Sequence, residues 1–327
     1  MIGERTSSME KVTIVIRTSG SSSKVKLLKL LLDSLANQTY KNFHVVIATQ
    51  SNYKRVASLA YDVLSPNKVT ILKSKYKKRT LTSELAIRYS IKDPHVEYVV
   101  ILDDDLVLEP RWLEKMLSCI NIDDHVGAAF SHVVNVTYIM KKYASYRLDL
   151  RVHTFAKKFI TRVAVPCVVI RPLNKFKGYF AYPTLPCTAT IVKAECLRRM
   201  LKIYKSIYYH DYAEPLRGDD YELGFRIRRL GYLILFNLTT FVTHMEYYNL
   251  KWSLIKPKEM QKLIFSEVYT YLRNSDFVSF SKILTHITVY VPIEGLNMSL
   301  ITRSILTLPS AVYASFKALL RWCSHNV

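Results

Sequence analysis

Short apolar runs alternate with longer amphipathic stretches through the first third of the chain. Residues 11–16 (KVTIVI) read as a strand that closes on a polar turn at 17–23. Leu27, Leu28, Leu31, Leu32 and Leu35 then recur at helical spacing and predict a helix over 24–36. Residues 43–48 (FHVVIA) form a second buried strand, with a helix expected near 53–64 and a short strand at 69–72. Leu85, Ala86 and Ile87 give a helix over 82–91 its core face, and a strand at 98–102 follows. Such alternation predicts an α/β fold with a mostly parallel sheet covered on both faces by flanking helices.

Pro110 falls near the start of a helix running to Cys119, where its missing donor does little harm. After a strand at 128–136 the alternation lapses. Lys141, Lys142, Arg147, Arg151, Lys157, Lys158 and Arg162 precede Pro166, Pro172, Pro183 and Pro186. This reads as a basic insert, helical at first, then a loop-rich cover over the sheet edge. A strand at 188–192 and a helix at 195–204 restore the pattern. The helix expected over 219–230 carries Leu223, Ile227 and Leu230 on one side, with Arg226, Arg228 and Arg229 largely elsewhere, and Gly231 ends it. Strands at 232–236 and 241–243 lead to His244. A helix over 257–272 and a kinked amphipathic segment at 301–322 make a C-terminal helical extension, which either packs on the protein or rests on a membrane.

Charge narrows the choice of partner. The 327 residues hold 47 Lys and Arg against 26 Asp and Glu, a formal excess of +21 that favours polyanions: nucleic acid, an acidic membrane surface or phosphorylated substrates. Between His125 and His210 there are 15 basic residues against Asp149 and Glu195 alone, and residues 73–79 add five more positive side chains. The five scattered cysteines lack metal-ligand spacing and fit buried thiols in a reducing compartment. Residues 1–10 lack the apolar core of a signal peptide, and no uncharged stretch reaches spanning length. A cytoplasmic protein is expected, peripheral on the membrane's cytoplasmic face if it touches the bilayer at all.

Against this basic background two acidic groups stand out. The apolar run 99–102 ends abruptly in Asp103, Asp104 and Asp105. A buried strand offers no partner for a charge, so these acids belong just past its C-terminal end, where ligands bind in open α/β sheets. Three adjacent carboxylates repel unless a cation or basic groups offset them, and a hard divalent ion shared with substrate phosphate is the natural remedy; a solvated acidic turn is the plainer alternative. The second group, Asp219, Asp220 and Glu222 behind Gly218, opens a helix whose positive end favours acids in any case. One group would hold a metal and the other supply a general base. His244, closing a later strand, is a further metal-ligand candidate.

These motifs together resemble the family 2 glycosyltransferases of the GT-A, Rossmann-like fold. The resemblance covers about 11–135 and 187–245. It rests on the opening strand and helix with residues 34–40 (SLANQTY), on 86–89 and 98–105 leading into Asp-x-Asp, and on 218–232 (GDDYELGFRIRRLGY). It implies an inverting transfer of sugar from a nucleotide-diphosphate donor to a hydroxyl acceptor in glycan biosynthesis, with Mn²⁺ or Mg²⁺. Asp103 would contact the nucleotide ribose or order the site, and Asp105 and His244 would bind the metal. Asp220 would be the general base, with Asp219 orienting acceptor or base. Thr18, Arg79, Arg88 and Asp104 join Asp103 as donor-binding candidates. The implied organisation is a flexible 1–10, a catalytic domain at 11–250 (donor half 11–135, acceptor and catalytic half 136–250) and an extension at 251–327.

The chain departs from that family at 48–51 (ATQS), which lacks the usual acidic residue for reading the base, and before Ala86, where a glycine is usual. The basic insert carries no family pattern, but its charge favours a phosphorylated acceptor or one held at an anionic membrane, such as a polyisoprenyl-phosphate-linked glycan. Two alternatives are weaker. A metal-dependent nucleotidyltransferase would need a glycine-rich triphosphate loop, which is not evident early in the chain. A basic nucleic-acid-binding protein would account for the charge, yet no zinc-finger or RNA-strand motif accompanies it.

Overall fold

The computed structural model describes residues 12–135, 179–182, 185, 189–208 and 219–245, with isolated positions at 269, 313, 315 and 317. Four strands, β1 (Val12–Thr18), β2 (Phe43–Thr49), β3 (Val69–Lys73) and β4 (Tyr98–Asp103), pair in parallel in the order β3-β2-β1-β4. Their side chains divide by parity. Val12, Ile14, Ile16, Val45, Ile47, Val100 and Leu102 enter one core, while Val15, Val46, Ala48, Val99 and Ile101 enter the core on the opposite face. Burial on both faces explains why these strands read as unbroken apolar runs.

Helices α1 (Ser22–Ala36) and α2 (Tyr53–Leu64) cover the first face, with α4 (Trp112–Ile120). Leu28, Leu31, Leu32 and Leu35 of α1 are wholly buried there, each by the leucine spacing already visible in the sequence. Helix α3 (Arg79–Ser90), α5 (Ala194–Tyr204) and α6 (Asp219–Arg229) cover the other through Ala86, Ile87, Leu197, Met200, Leu223 and Ile227.

Beyond β4 the sheet becomes mixed. Strand β8 (Thr190–Lys193) lies antiparallel to both β4 and β6 (Val126–Asn135), and β6 runs parallel to β9 (Leu233–His244). Two elements were not anticipated: β5 (Leu106–Leu108) and β7 (Tyr179–Tyr182), both antiparallel to β9. Strand β5 is three residues long and follows the acids at once, so its apolar residues look like the tail of the preceding run. The two strands expected at 232–236 and 241–243 are one, interrupted by a register shift where Ser131 faces Asn237 and His132 faces Phe241. There Asn237 Oδ1 accepts from the backbone N–H of Thr239 at 2.9 Å, a local turn that splits the apolar pattern.

Arg226 also differs from expectation. It is buried on α6, where its Nε donates to Glu222 Oε1 at 2.9 Å, its guanidinium binds the Ser206 carbonyl at 2.7 Å, and it lies over the Tyr204 ring. Gly231, at φ +88°, ends the helix as expected. Cys119 and Cys196 are buried free thiols whose pKa burial pushes up to about 12. Among the described residues no helix is long and apolar enough to cross a membrane. The basic insert through residue 178 and, apart from those isolated positions, the C-terminal extension lie outside the described residues.

Candidate active site

Parallel pairing brings the ends of β1, β2 and β4 level, with Thr18 opposite Thr49 and Arg17 opposite Asp103. The acids therefore meet the loop after β1 at the carboxyl edge of the sheet, as the sequence implied. The second ligand candidate arrives by a different register. Strand β5 turns back immediately after Asp105 and pairs Leu106 with His244, and the Met245 N–H donates to the Asp105 carbonyl at 2.7 Å. His244 is fixed beside Asp105 by backbone hydrogen bonds.

Its Nε2 lies 3.1 Å from Asp105 Oδ1, off the line of a well-directed hydrogen bond. That separation suits two ligands on adjacent corners of an octahedral ion, whose donor atoms at about 2.1 Å from the metal stand about 3.0 Å apart. Among the described residues no group of three His, Cys, Asp or Glu is placed to hold a metal. Asp105 and His244 are a pair that could hold a divalent ion, with the remaining corners left to substrate phosphate and water. Asp105 is nearly fully buried, and burial alone would raise its pKa. The His244 imidazole, by contact and charge, and the Lys24 ammonium hold it below the usual carboxylate range.

Arg17 was not among the residues expected in the site. It is 9% exposed and spans the two acidic groups, with Nη2 2.8 Å from Asp103 Oδ1 and Nη1 2.9 Å from Asp219 Oδ2. Burial opposes its charge, but Asp103, Asp219 and Asp220 together drive its pKa well above the ordinary value. Its signal is present in the sequence, where Arg17, like Asp103, is a charge that closes an apolar strand.

Asp220 keeps part of its surface open, and its pKa is driven well above the carboxylate range by desolvation and then by the neighbouring Asp219 charge, against the pull of Arg17 and Arg79. That dependence places Arg79, at the first position of α3, within electrostatic reach of Asp220. Tyr208, buried and hydrogen-bonded with Ser83 at 3.3 Å, lines the same interior. Asp104 is buried beside Thr18 and Lys24. Burial carries its pKa up to about 6, opposed by the Lys24 charge and a hydrogen bond with Thr18. Thr18 also accepts from the Gly20 N–H at 3.1 Å, and Gly20, at φ +71°, lies so close to Ser51 that a Cβ there would sit 2.1 Å from its carbonyl oxygen. The loops after β1 and β2 are locked together by that approach.

Arg88 lies elsewhere. It is nine residues from Arg79 on α3, roughly 13 Å along the axis, where it pairs with Glu84 at 2.6 Å and caps the Lys205 carbonyl. Its place is structural. In the 48–51 segment, which lacks the base-reading acid usual in the resembling family, Gln50 donates to the Lys77 carbonyl and to Thr82.

The family model described as "Glycosyltransferase like family 2" matches residues 10–264, most of the chain. No curated protein matches. Solved structures similar to the chain include that of S. aureus TarS 1–349, at 12% identity over 96% of this chain and 92% of that one, with a TM-score of 0.48. A second S. aureus TarS structure aligns at 12% identity over 95% of this chain and 54% of the other, with a TM-score of 0.46.

Proposed function

Because the chain belongs to the family 2 glycosyltransferases, we propose that it transfers a sugar from a nucleotide-diphosphate donor to a hydroxyl acceptor with inversion at the anomeric carbon. One observation carries this reading: Asp103 and Asp105 at the end of β4, Asp219 on α6 and His244 on β9 meet at one sheet edge through Arg17, Lys24 and a backbone pair.

In this reading the donor lies over the ends of β1 and β4. Thr18 and Asp103 face the nucleoside, Asp104 supports Thr18 from beneath, and Arg79 offers positive charge to the diphosphate. Asp105 and His244 would hold Mn²⁺ or Mg²⁺, which offsets charge on the departing nucleoside diphosphate when bound. Asp220 takes the proton from the acceptor hydroxyl as its oxygen attacks the anomeric carbon. A raised pKa makes Asp220 a stronger base than an ordinary aspartate once ionised. Asp219, tied to Arg17, keeps the first turn of α6 in place and cannot itself turn freely towards the acceptor. Holding both reactants in line supplies much of the acceleration.

The basic residues of the insert favour an acceptor carrying phosphate or held at an anionic membrane, for which a polyisoprenyl-phosphate-linked glycan is the leading class. Incubating the purified chain with a panel of nucleotide sugars and lipid extracts, in Mn²⁺ or in EDTA, tests the reading. Sugar incorporation with inverted configuration, lost in EDTA, is expected. Hydrolysis or transfer with retained configuration would overturn the inverting mechanism, and full transfer in EDTA would overturn the metal assignment.

A further inference from the structure

Lys24 occupies an unfavourable place for a cation. It is the third residue of α1, beside the positive end of the helix, whose first turn contains no acid. Its Nζ nevertheless turns inward, 2.6 Å from Asp105 Oδ2 and 3.4 Å from Asp104 Oδ1. The Asp105 side chain is 3% exposed, with His244 against one oxygen and the Lys24 ammonium against the other. A carboxylate this buried needs a counter-ion, and here the chain supplies its own.

We propose that the Lys24 ammonium and a divalent cation are alternative occupants of the Asp105 carboxylate. Without the cation Lys24 offsets the Asp105 charge, and the cation binds only as the ammonium leaves. The two cannot share one carboxylate at full strength, because a dication beside the ammonium meets like charge at contact range in a weakly screened interior. Lys24 therefore weakens metal binding in the absence of donor. With donor present, the displaced ammonium has a diphosphate as a new anionic partner, so metal and donor load together. The inference rests on the reading of Asp105 and His244 as the cation site.

The test is a Mn²⁺ titration followed by the electron paramagnetic resonance of free Mn²⁺, without nucleotide, on the full chain. Lys24→Met is expected to tighten Mn²⁺ binding by about tenfold, Lys24→Arg to bind as weakly as the native chain, and Lys24→Met with Asp105→Asn to lose the gain. An affinity unchanged in Lys24→Met, or a gain that survives Asp105→Asn, overturns the proposal. Melting in EDTA gives a second readout. Lys24→Met should melt lower than the native chain and recover with Mn²⁺, and no recovery counts against it. Failure of the glycosyltransferase reading would show differently, as absent sugar transfer with the Mn²⁺ effect intact.

Discussion

Asp104 and Asp220 are both carboxyls pushed towards the protonated form, for different ends. Asp104 is sealed beside Thr18 and Lys24, and its pKa of about 6 against an ordinary 3.8 means that folding binds its proton more tightly than the unfolded chain does. The associated stability is present below about pH 4 and is lost as pH rises through about 6, a difference of roughly 3 kcal/mol for the ionised group. Asp104→Asn is therefore expected to melt higher than the native chain at pH 8 in EDTA, with the gap closing towards pH 4. Thermal melts across that range check it; a gap independent of pH would contradict the assignment. As the proposed base, Asp220 would have to be ionised, so its raised pKa should move the acid limb of kcat above the ordinary carboxylate range, with activity falling as pH falls through it. An acid limb near pH 4 would remove Asp220 from the role of base. Asp103, Asp104 and Asp105 were legible because charge after an apolar run has few places to go, and Asp219 and Asp220 because they open a helix. Arg17 carried the same signal and pairs with both Asp103 and Asp219, a partnership no linear pattern discloses across 202 residues. Arg88 shows the converse. Its charge and proximity to the motif suggested a donor contact, yet helix geometry carries it to the far end of α3.

Helices and turns hold these residues by means the sequence revealed unevenly. The leucine stripe of α1 and the run of β4 announce themselves through burial alone. Strand β5 does not, being three residues long, yet its pairing with β9 is what delivers His244 to Asp105. Gly20 and Gly231 separate two reasons for a glycine. Both have positive φ, but a Cβ at Gly231 would meet nothing within 4 Å, whereas at Gly20 it would strike the Ser51 backbone. Gly231→Ala should cost about 1 kcal/mol, from backbone conformation alone. Gly20→Ala should cost more, about 2–3 kcal/mol, and should weaken donor binding by parting the loops after β1 and β2. Chemical denaturation and donor titration of both variants distinguish the two. On α6 the buried Glu222–Arg226 pair was missed because helical spacing set Arg226 with the polar residues. Arg226→Met strands a buried carboxylate and is expected to lower stability by about 3–5 kcal/mol, with Glu222→Gln recovering much of it in the double variant. Equal losses in single and double variants would mean that the pair is not coupled.

For the whole molecule, the sheet divides the work. The parallel half, β3-β2-β1-β4, aligns strand ends into an edge where Asp103, Asp104 and Asp105 gather, and the mixed half returns α6 and His244 to that edge. Alternating segments in the sequence disclosed the first half well. The reversal at β8 was hidden, because direction depends on connections through the basic insert rather than on the strand's own residues. The formal charge of +21 belongs to this scale too. If it serves an acceptor at an anionic membrane, the chain will co-sediment with acidic vesicles and leave them as salt rises; pelleting with neither acidic nor neutral vesicles would separate the charge from that role. The family membership and the clustered acids come together in one claim, that Asp220 removes the acceptor proton within a site assembled around Arg17. Its most direct test is kcat for sugar transfer by Asp220→Asn alongside calorimetric donor binding. A loss in kcat of about 10²–10⁴-fold with donor affinity retained is the predicted result, and transfer at the native rate would contradict it.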